Sequence, residues 1–191
     1  MMFDKSFMNL PNQLTILRVL IIPFFLIFLY MDTDTTNIIA TILFVIASIT
    51  DYIDGYLARK YQIITDFGKI LDPVADKILV ASSMIVLVEL NRLAGWIVIL
   101  MLSRDFVIGA LRNFAASKGV VIAAGFSGKL KTVLQMVAIG CLIFKRPLFN
   151  LDTYFIGKIL IYIALFVSLY SCVVYYLDFF NKKEGYKEKE V

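Results

Sequence analysis

Six apolar stretches, each close to the length of a bilayer crossing, take up almost all of the chain between Leu14 and Phe180. They run from about Leu14 to Tyr30, Asn37 to Arg59, Gly68 to Leu90, Ala94 to Ser117, Gly128 to Phe144 and Thr153 to Phe180. A helix needs roughly 20 residues to cross the hydrocarbon core, and a backbone in lipid must satisfy its own hydrogen bonds. The expected fold is therefore all-α: a polytopic membrane protein with six transmembrane helices, forming one domain over residues 1–191. The fifth stretch is short and the sixth long, so their ends are the least defined. With 60% hydrophobic residues and a mean hydropathy of +0.83, no polar stretch is long enough to build a separate soluble domain.

The first ten residues, MMFDKSFMNL, lack the basic region and small-residue cleavage site of a signal peptide. Phe3 and Phe7, four apart, suit a short interfacial helix over residues 1–10 that ends before Pro11. Six spans put both termini on one side. Of the 19 Lys and Arg, only Arg92, Lys145, Arg146 and Lys158 fall in or near the outer connections. That asymmetry places both termini in the cytoplasm. The tail NKKEGYKEKEV, residues 181–191, reads as a solvated cytoplasmic end that touches anionic headgroups. Cys141 and Cys172 fall inside spans at no metal or redox spacing and read as small core residues.

Charges inside the spans are costly, about 2.5–3.5 kcal/mol each on insertion scales, so each needs a reason. Asp51 and Asp54 lie near the end of the second span, Asp72 and Asp76 near the start of the third. Residues three and four apart share a helix face, so Asp51, Asp54, Gly55 and Ala58 form one stripe, and Gly68, Asp72 and Asp76 another. Four buried acids cannot all remain ionised without compensating charge. A cation between the two stripes supplies it, and oxygen-only ligands suit Mg²⁺ or Mn²⁺. One carboxylate per salt bridge would suffice for structure alone. For Lys69 and Lys77, by contrast, ion pairing or snorkelling is the expected role.

The chain contains no histidine, which removes the commonest general base and any Ser-His pair. A base must then be a carboxylate, a lysine or a tyrosine. Small side chains at Gly55 and Ala58 let a nucleotide or a neighbouring helix approach the backbone. Gly68 suits packing or a turn at the start of the third span. Arg59, at the membrane surface, offers a bidentate group for a diphosphate. Pro73, between the two aspartates of the third span, frees a carbonyl and is a point of bending.

The pattern D-x₂-D-G-x₂-A-R-x₈-G-x₃-D-x₃-D, filled here by Asp51, Asp54, Gly55, Ala58, Arg59, Gly68, Asp72 and Asp76, resembles the signature of the CDP-alcohol phosphotransferase family. All eight positions match, a specific signal. The runs Asn9 to Phe25, Arg104 to Phe114 and Gly128 to Met136 are similar to the bacterial branch that forms phosphatidylglycerophosphate. That resemblance implies transfer of the phosphatidyl group of CDP-diacylglycerol to glycerol 3-phosphate, with release of CMP, in a bacterial plasma membrane. It assigns Asp51, Asp54, Asp72 and Asp76 to one or two divalent ions and makes Asp76 the base. It places Asp51, Gly55, Ala58, Arg59 and Gly68 on the CDP-diacylglycerol. It also implies a homodimer among membrane lipids, with no nucleic-acid partner.

Glycerol 3-phosphate carries a dianionic phosphate, so its pocket is expected to be basic. Arg104, Arg112, Lys129 and Lys131 are the candidates; positive-inside anchoring is the plainer role for the two lysines, and pairing with a carboxylate of another helix for Arg104. Other acceptors considered are inositol phosphate, serine and phosphatidylglycerol. A different class, a carboxylate-lined cation transporter, would place its acids near the midplane with access from both faces. Here the acids gather toward one face and no internal repeat is visible.

Overall fold

The computed structural model describes residues 10–60, 66–117, 126–148 and 150–187. Its six helices are α1 (Leu10–Tyr30), α2 (Asp34–Lys60), α3 (Asp66–Glu89), α4 (Gly95–Ser117), α5 (Phe126–Phe144) and α6 (Thr153–Lys187). Four of them hold windows long and apolar enough to cross a membrane: Gln13–Tyr30, Asp34–Asp51, Ser127–Phe144 and Thr153–Leu177. Helix α4 is 23 residues long but carries Arg104, Asp105 and Arg112. The expected interfacial helix of residues 1–10 lies almost wholly outside the described residues, and α1 already includes Pro11.

Helix ends differ from the sequence expectations by a few residues, most at the C-terminus. There α6 continues as helix to Lys187, into the segment expected to be a tail. Helix α5 starts at Phe126 rather than Gly128, α3 at Asp66 rather than Gly68, and α3 runs as one helix through Pro73. A two-residue hairpin not expected from sequence, β1 (Pro147–Leu148) with β2 (Leu151–Asp152), joins α5 to α6. Its turn holds Asn150 at φ 64°, a left-handed conformation that asparagine tolerates.

The described turns are capped by their own sequence. Thr33 and Thr36 exchange hydrogen bonds at the start of α2: the N–H of Thr36 donates to Thr33 Oγ1 at 3.2 Å and the N–H of Thr33 to Thr36 Oγ1 at 3.0 Å. Asp152 Oδ1 accepts from the N–H groups of Tyr154 and Phe155, satisfying donors in the first turn of α6. Helix α3 ends with Asn91 at φ 56° while the N–H of Arg92 donates to Leu87 O at 2.8 Å, a six-to-one closure. The buried Arg92 guanidinium then ties three elements together, donating to Asp32 and to the carbonyls of Leu142 and Ile143.

Helix α5 packs along α6, α1 along α2 and α3, and α4 against α6 and α3. The apolar core draws on the second halves of α1, α3 and α5 and the first halves of α2, α4 and α6: Phe25, Leu29, Phe44, Leu87, Met101, Leu142 and Ile161 are fully or almost fully buried within it. Alternating helix halves of this kind lie at one end of an up-and-down bundle. Phe25 and Phe44 meet there with ring centroids 5.8 Å apart. At Gly157 a Cβ would come within 3.0 Å of the Leu142 backbone, so glycine permits the close α5–α6 approach. Arg18, Asp51, Asp76, Arg112, Lys129 and Lys131 fall in the opposite halves and Arg104 and Asp105 near the middle of α4, while Asp32 and Arg92 close the packed end. The bundle thus has an apolar end and a more polar end.

Candidate active site

At the polar end, α3, α4, α5 and α6 enclose a cavity of about 300 Å³. Asp76 and Lys77 reach it from α3, Arg104, Asp105 and Arg112 from α4, Lys129, Lys131 and Gln135 from α5, and Ser171 and Tyr175 from α6. The structure therefore gathers Asp76 and the four cationic candidates Arg104, Arg112, Lys129 and Lys131 around one space. Five cations and two carboxylates line it, so its field is positive and suited to a small anion.

The cations are held in different ways. Lys131 is 4% exposed, too deep for a surface anchor, and donates to both oxygens of Asp105 at 2.7 and 2.6 Å. Arg104 pairs with its own neighbour Asp105 at 3.0 Å rather than with a carboxylate of another helix. Its Nε donates to Ser168 O at 3.1 Å and its NH2 to Ser171 Oγ at 2.9 Å. Among the described residues lining this cavity, the ion pair that crosses between helices is instead Lys131 with Asp105. Arg112 and Lys129 are exposed. The Arg112 guanidinium lies 5.9 Å from the centre of the Tyr175 ring, and the Lys77 ammonium 5.8 Å from that of Phe106, a cation–π contact where an ion pair or snorkelling was expected. Gln135, one turn beyond Lys131, is buried and donates to Met84 Sδ at 3.0 Å.

Of the four motif aspartates, the side chains of Asp51 and Asp76 are described. Asp51 accepts from Arg18 NH1 at 2.5 Å; Arg18 is wholly buried on α1. Asp76 Oδ1 is buried without a hydrogen-bond partner among the described residues. A buried, unpaired carboxylate oxygen is costly and is the kind of ligand a hard divalent cation takes. Asp76 thus fits a divalent ion. Asp54, Gly55, Ala58 and Arg59 lie in the last turns of α2, and Gly68 and Asp72 in the first turns of α3. Their side chains are outside the described residues, among which no three His, Cys, Asp or Glu converge.

Sequence reasoning missed Arg18, Asp105, Ser171 and Tyr175 as parts of this end of the bundle. Arg18 and Asp105 were legible as charges in apolar helices; nothing in the sequence distinguishes Ser171 or Tyr175 from other residues of α6. Tyr175 is buried and its hydroxyl has no partner among the described residues.

Residues 8–170 match the family model described as CDP-alcohol phosphatidyltransferase. The chain is also similar to curated bacterial proteins named CDP-diacylglycerol–glycerol-3-phosphate 3-phosphatidyltransferase. That of Bacillus subtilis is 37% identical over 175 residues, covering 85% of this chain and 91% of its own. That of Haemophilus influenzae is 41% identical over 172 residues, covering 87% and 91%. That of Rickettsia prowazekii is 38% identical over 179 residues, covering 92% and 96%. A family match across most of the chain, together with relatives aligned over nearly their whole length, means that the chain belongs to the CDP-alcohol phosphatidyltransferase family.

Proposed function

We propose that the protein transfers the phosphatidyl group of CDP-diacylglycerol to glycerol 3-phosphate, giving phosphatidylglycerophosphate and CMP. The observation that carries this reading is the cavity that joins Asp76 to Arg104, Arg112, Lys129 and Lys131. A base and a phosphate-sized cationic pocket then share one space at the polar end of a membrane bundle. The names of the relatives favour the same acceptor over inositol phosphate, serine or phosphatidylglycerol.

In this reading the cations seat the phosphate of glycerol 3-phosphate and leave its primary hydroxyl toward Asp76. Asp76 takes the hydroxyl proton as the oxygen attacks the β-phosphorus of CDP-diacylglycerol. The new ester bond forms as the bond from that phosphorus to the bridging oxygen of CMP breaks, and CMP leaves with the electron pair. Asp51, Asp54, Asp72 and Asp76 would hold one or two divalent ions, Mg²⁺ or Mn²⁺, and an ion held there would supply positive charge to the diphosphate and the departing CMP. Gly55, Ala58, Arg59 and Gly68, with Asp51, accommodate the CDP-diacylglycerol.

The same reading sets six helices across a bacterial plasma membrane with both termini cytoplasmic, supported by the excess of Lys and Arg at the polar end. A lipid diphosphate and a water-soluble alcohol can meet at that interface. A homodimer, implied by the family, belongs to the proposal and is open to cross-linking in native membranes. The packed apolar half beyond the cavity disfavours an ion path through the bundle. Incubation of purified protein with CDP-diacylglycerol, radiolabelled glycerol 3-phosphate and Mg²⁺ tests the function. Labelled lipid appearing with stoichiometric CMP is expected; ion flux into liposomes without CMP would establish a transporter instead.

A further inference from the structure

A carboxylate in an anion-binding pocket is at first sight misplaced, since it repels the ligand. Asp105 is such a group: it lines the cavity among five cations. Both of its oxygens are taken by protein. Oδ1 accepts from Arg104 NH1 at 3.0 Å and from Lys131 Nζ at 2.7 Å, and Oδ2 from Lys131 Nζ at 2.6 Å. The side chains of Arg104 and Lys131 are only 11% and 5% exposed, so without a shared counter-charge they would repel each other in a site poor in water. Adjacent positions on a helix point about 100° apart. Arg104 therefore reaches α6, at Ser168 and Ser171, while Asp105 reaches α5, at Lys131.

We infer that Asp105 is a positioning residue for acceptor binding: it clasps Lys131 and Arg104 into one fixed cationic pair whose remaining N–H groups serve the acceptor phosphate. Arg104 has N–H groups left on NH1 and NH2, and Lys131 at least one, after the contacts named above. The two cations come from different helices, so the carboxylate between them sets their separation. A tetrahedral phosphate that accepts from both cations at once needs that separation fixed. The inference rests on the proposed use of glycerol 3-phosphate.

The test has an unusual sign. Simple electrostatics says that removing a negative charge from an anion pocket tightens anion binding. Positioning says that it loosens it. Asp105→Asn is expected to raise the KM for glycerol 3-phosphate about tenfold or more, with kcat and the KM for CDP-diacylglycerol within about twofold. Asp105→Glu, which restores the charge, should recover most of the loss. A KM that is unchanged or lowered in Asp105→Asn overturns the inference. If Asp105→Asn does not fold, the pair is removed together: Asp105→Asn in a Lys131→Met background should raise the KM no more than about twofold beyond Lys131→Met alone. A larger further rise would mean that Asp105 acts other than by clasping Lys131 to Arg104, and overturns the inference. A wild-type protein that does not use glycerol 3-phosphate at all would sink the functional reading itself, which these KM comparisons leave separate.

Discussion

Arg18, fully buried on α1, donates to Asp51 on α2 across 2.5 Å, so a first-helix cation holds the first carboxylate of the motif. The Asp51 side chain keeps about a third of its surface exposed, so losing Arg18 costs less than the roughly 3–5 kcal/mol of a fully buried pair, on the order of 1–2 kcal/mol. Arg18→Ala should therefore lower the melting temperature in detergent by several degrees. A divalent ion bound beside Asp51 would supply the missing charge, so saturating Mg²⁺ should restore part of that loss. An equal loss with and without Mg²⁺ would separate Asp51 from any metal site.

Asp51→Asn, Asp54→Asn and Asp72→Asn should each reduce turnover by about 10³ or more, the scale expected when a metal ligand is removed. Near-normal rates in any two of them, measured with Mg²⁺, would end the metal assignment.

Asp76→Asn should retain CDP-diacylglycerol binding and fail in transfer, because an amide cannot accept the alcohol proton. Equilibrium binding of CDP-diacylglycerol alongside CMP release checks this. If binding falls as far as turnover, Asp76 is a ligand and nothing more.

The cavity ranks its cations by burial. Losing a desolvated partner of a charged ligand costs about 2–5 kcal/mol, so Lys131→Ala should raise the KM for glycerol 3-phosphate at least about thirtyfold. Arg112 is exposed and leans on Tyr175, so Arg112→Ala should cost less, on the order of threefold to tenfold. Free glycerol should be a poor acceptor for the wild type and indifferent to both changes. The reverse order of the two KM values would mean that the phosphate sits at the mouth of the cavity.

Acid should loosen the opposite end. Burial alone would raise the Asp32 carboxyl, but the Asn37 hydrogen bond and the charges of Arg92 and Lys145 together hold it below its ordinary value. A group with a depressed folded pKa stabilises the fold above its unfolded pKa and loses that contribution as pH falls through the folded one. The melting temperature should thus drop below about pH 4, the ordinary Asp range, and Asp32→Asn should flatten that part of the profile. An identical acid limb in the Asn variant would assign the drop to other carboxylates.

The helices and the motif were legible because each rests on local information: apolar length for α1 to α6, and spacing for Asp51 to Asp76. The pocket cations Arg104, Arg112, Lys129 and Lys131 were also legible, as charges that apolar helices carry only at a cost. Their partners were not. That Asp105 serves Lys131, twenty-six residues away, and that Arg18 serves Asp51, thirty-three away, depends on which helix faces meet. The continuation of α6 to Lys187 went unread because charged residues form helix readily once a helix is already propagating.

The division of the bundle into a packed half and a charged half makes each helix a lever with its fulcrum in the core. Phe44 lies seven residues before Asp51, and Met84 eight after Asp76. At about 1.5 Å per residue those arms are roughly 10–12 Å long, so a tilt of about 5° at the core moves a carboxylate by about 1 Å. Misplacement on that scale can cost about a hundredfold in rate. Trimming Phe44, which touches no reacting group, would therefore act at the far end of the arm as an enzyme lesion rather than only as a loss of stability.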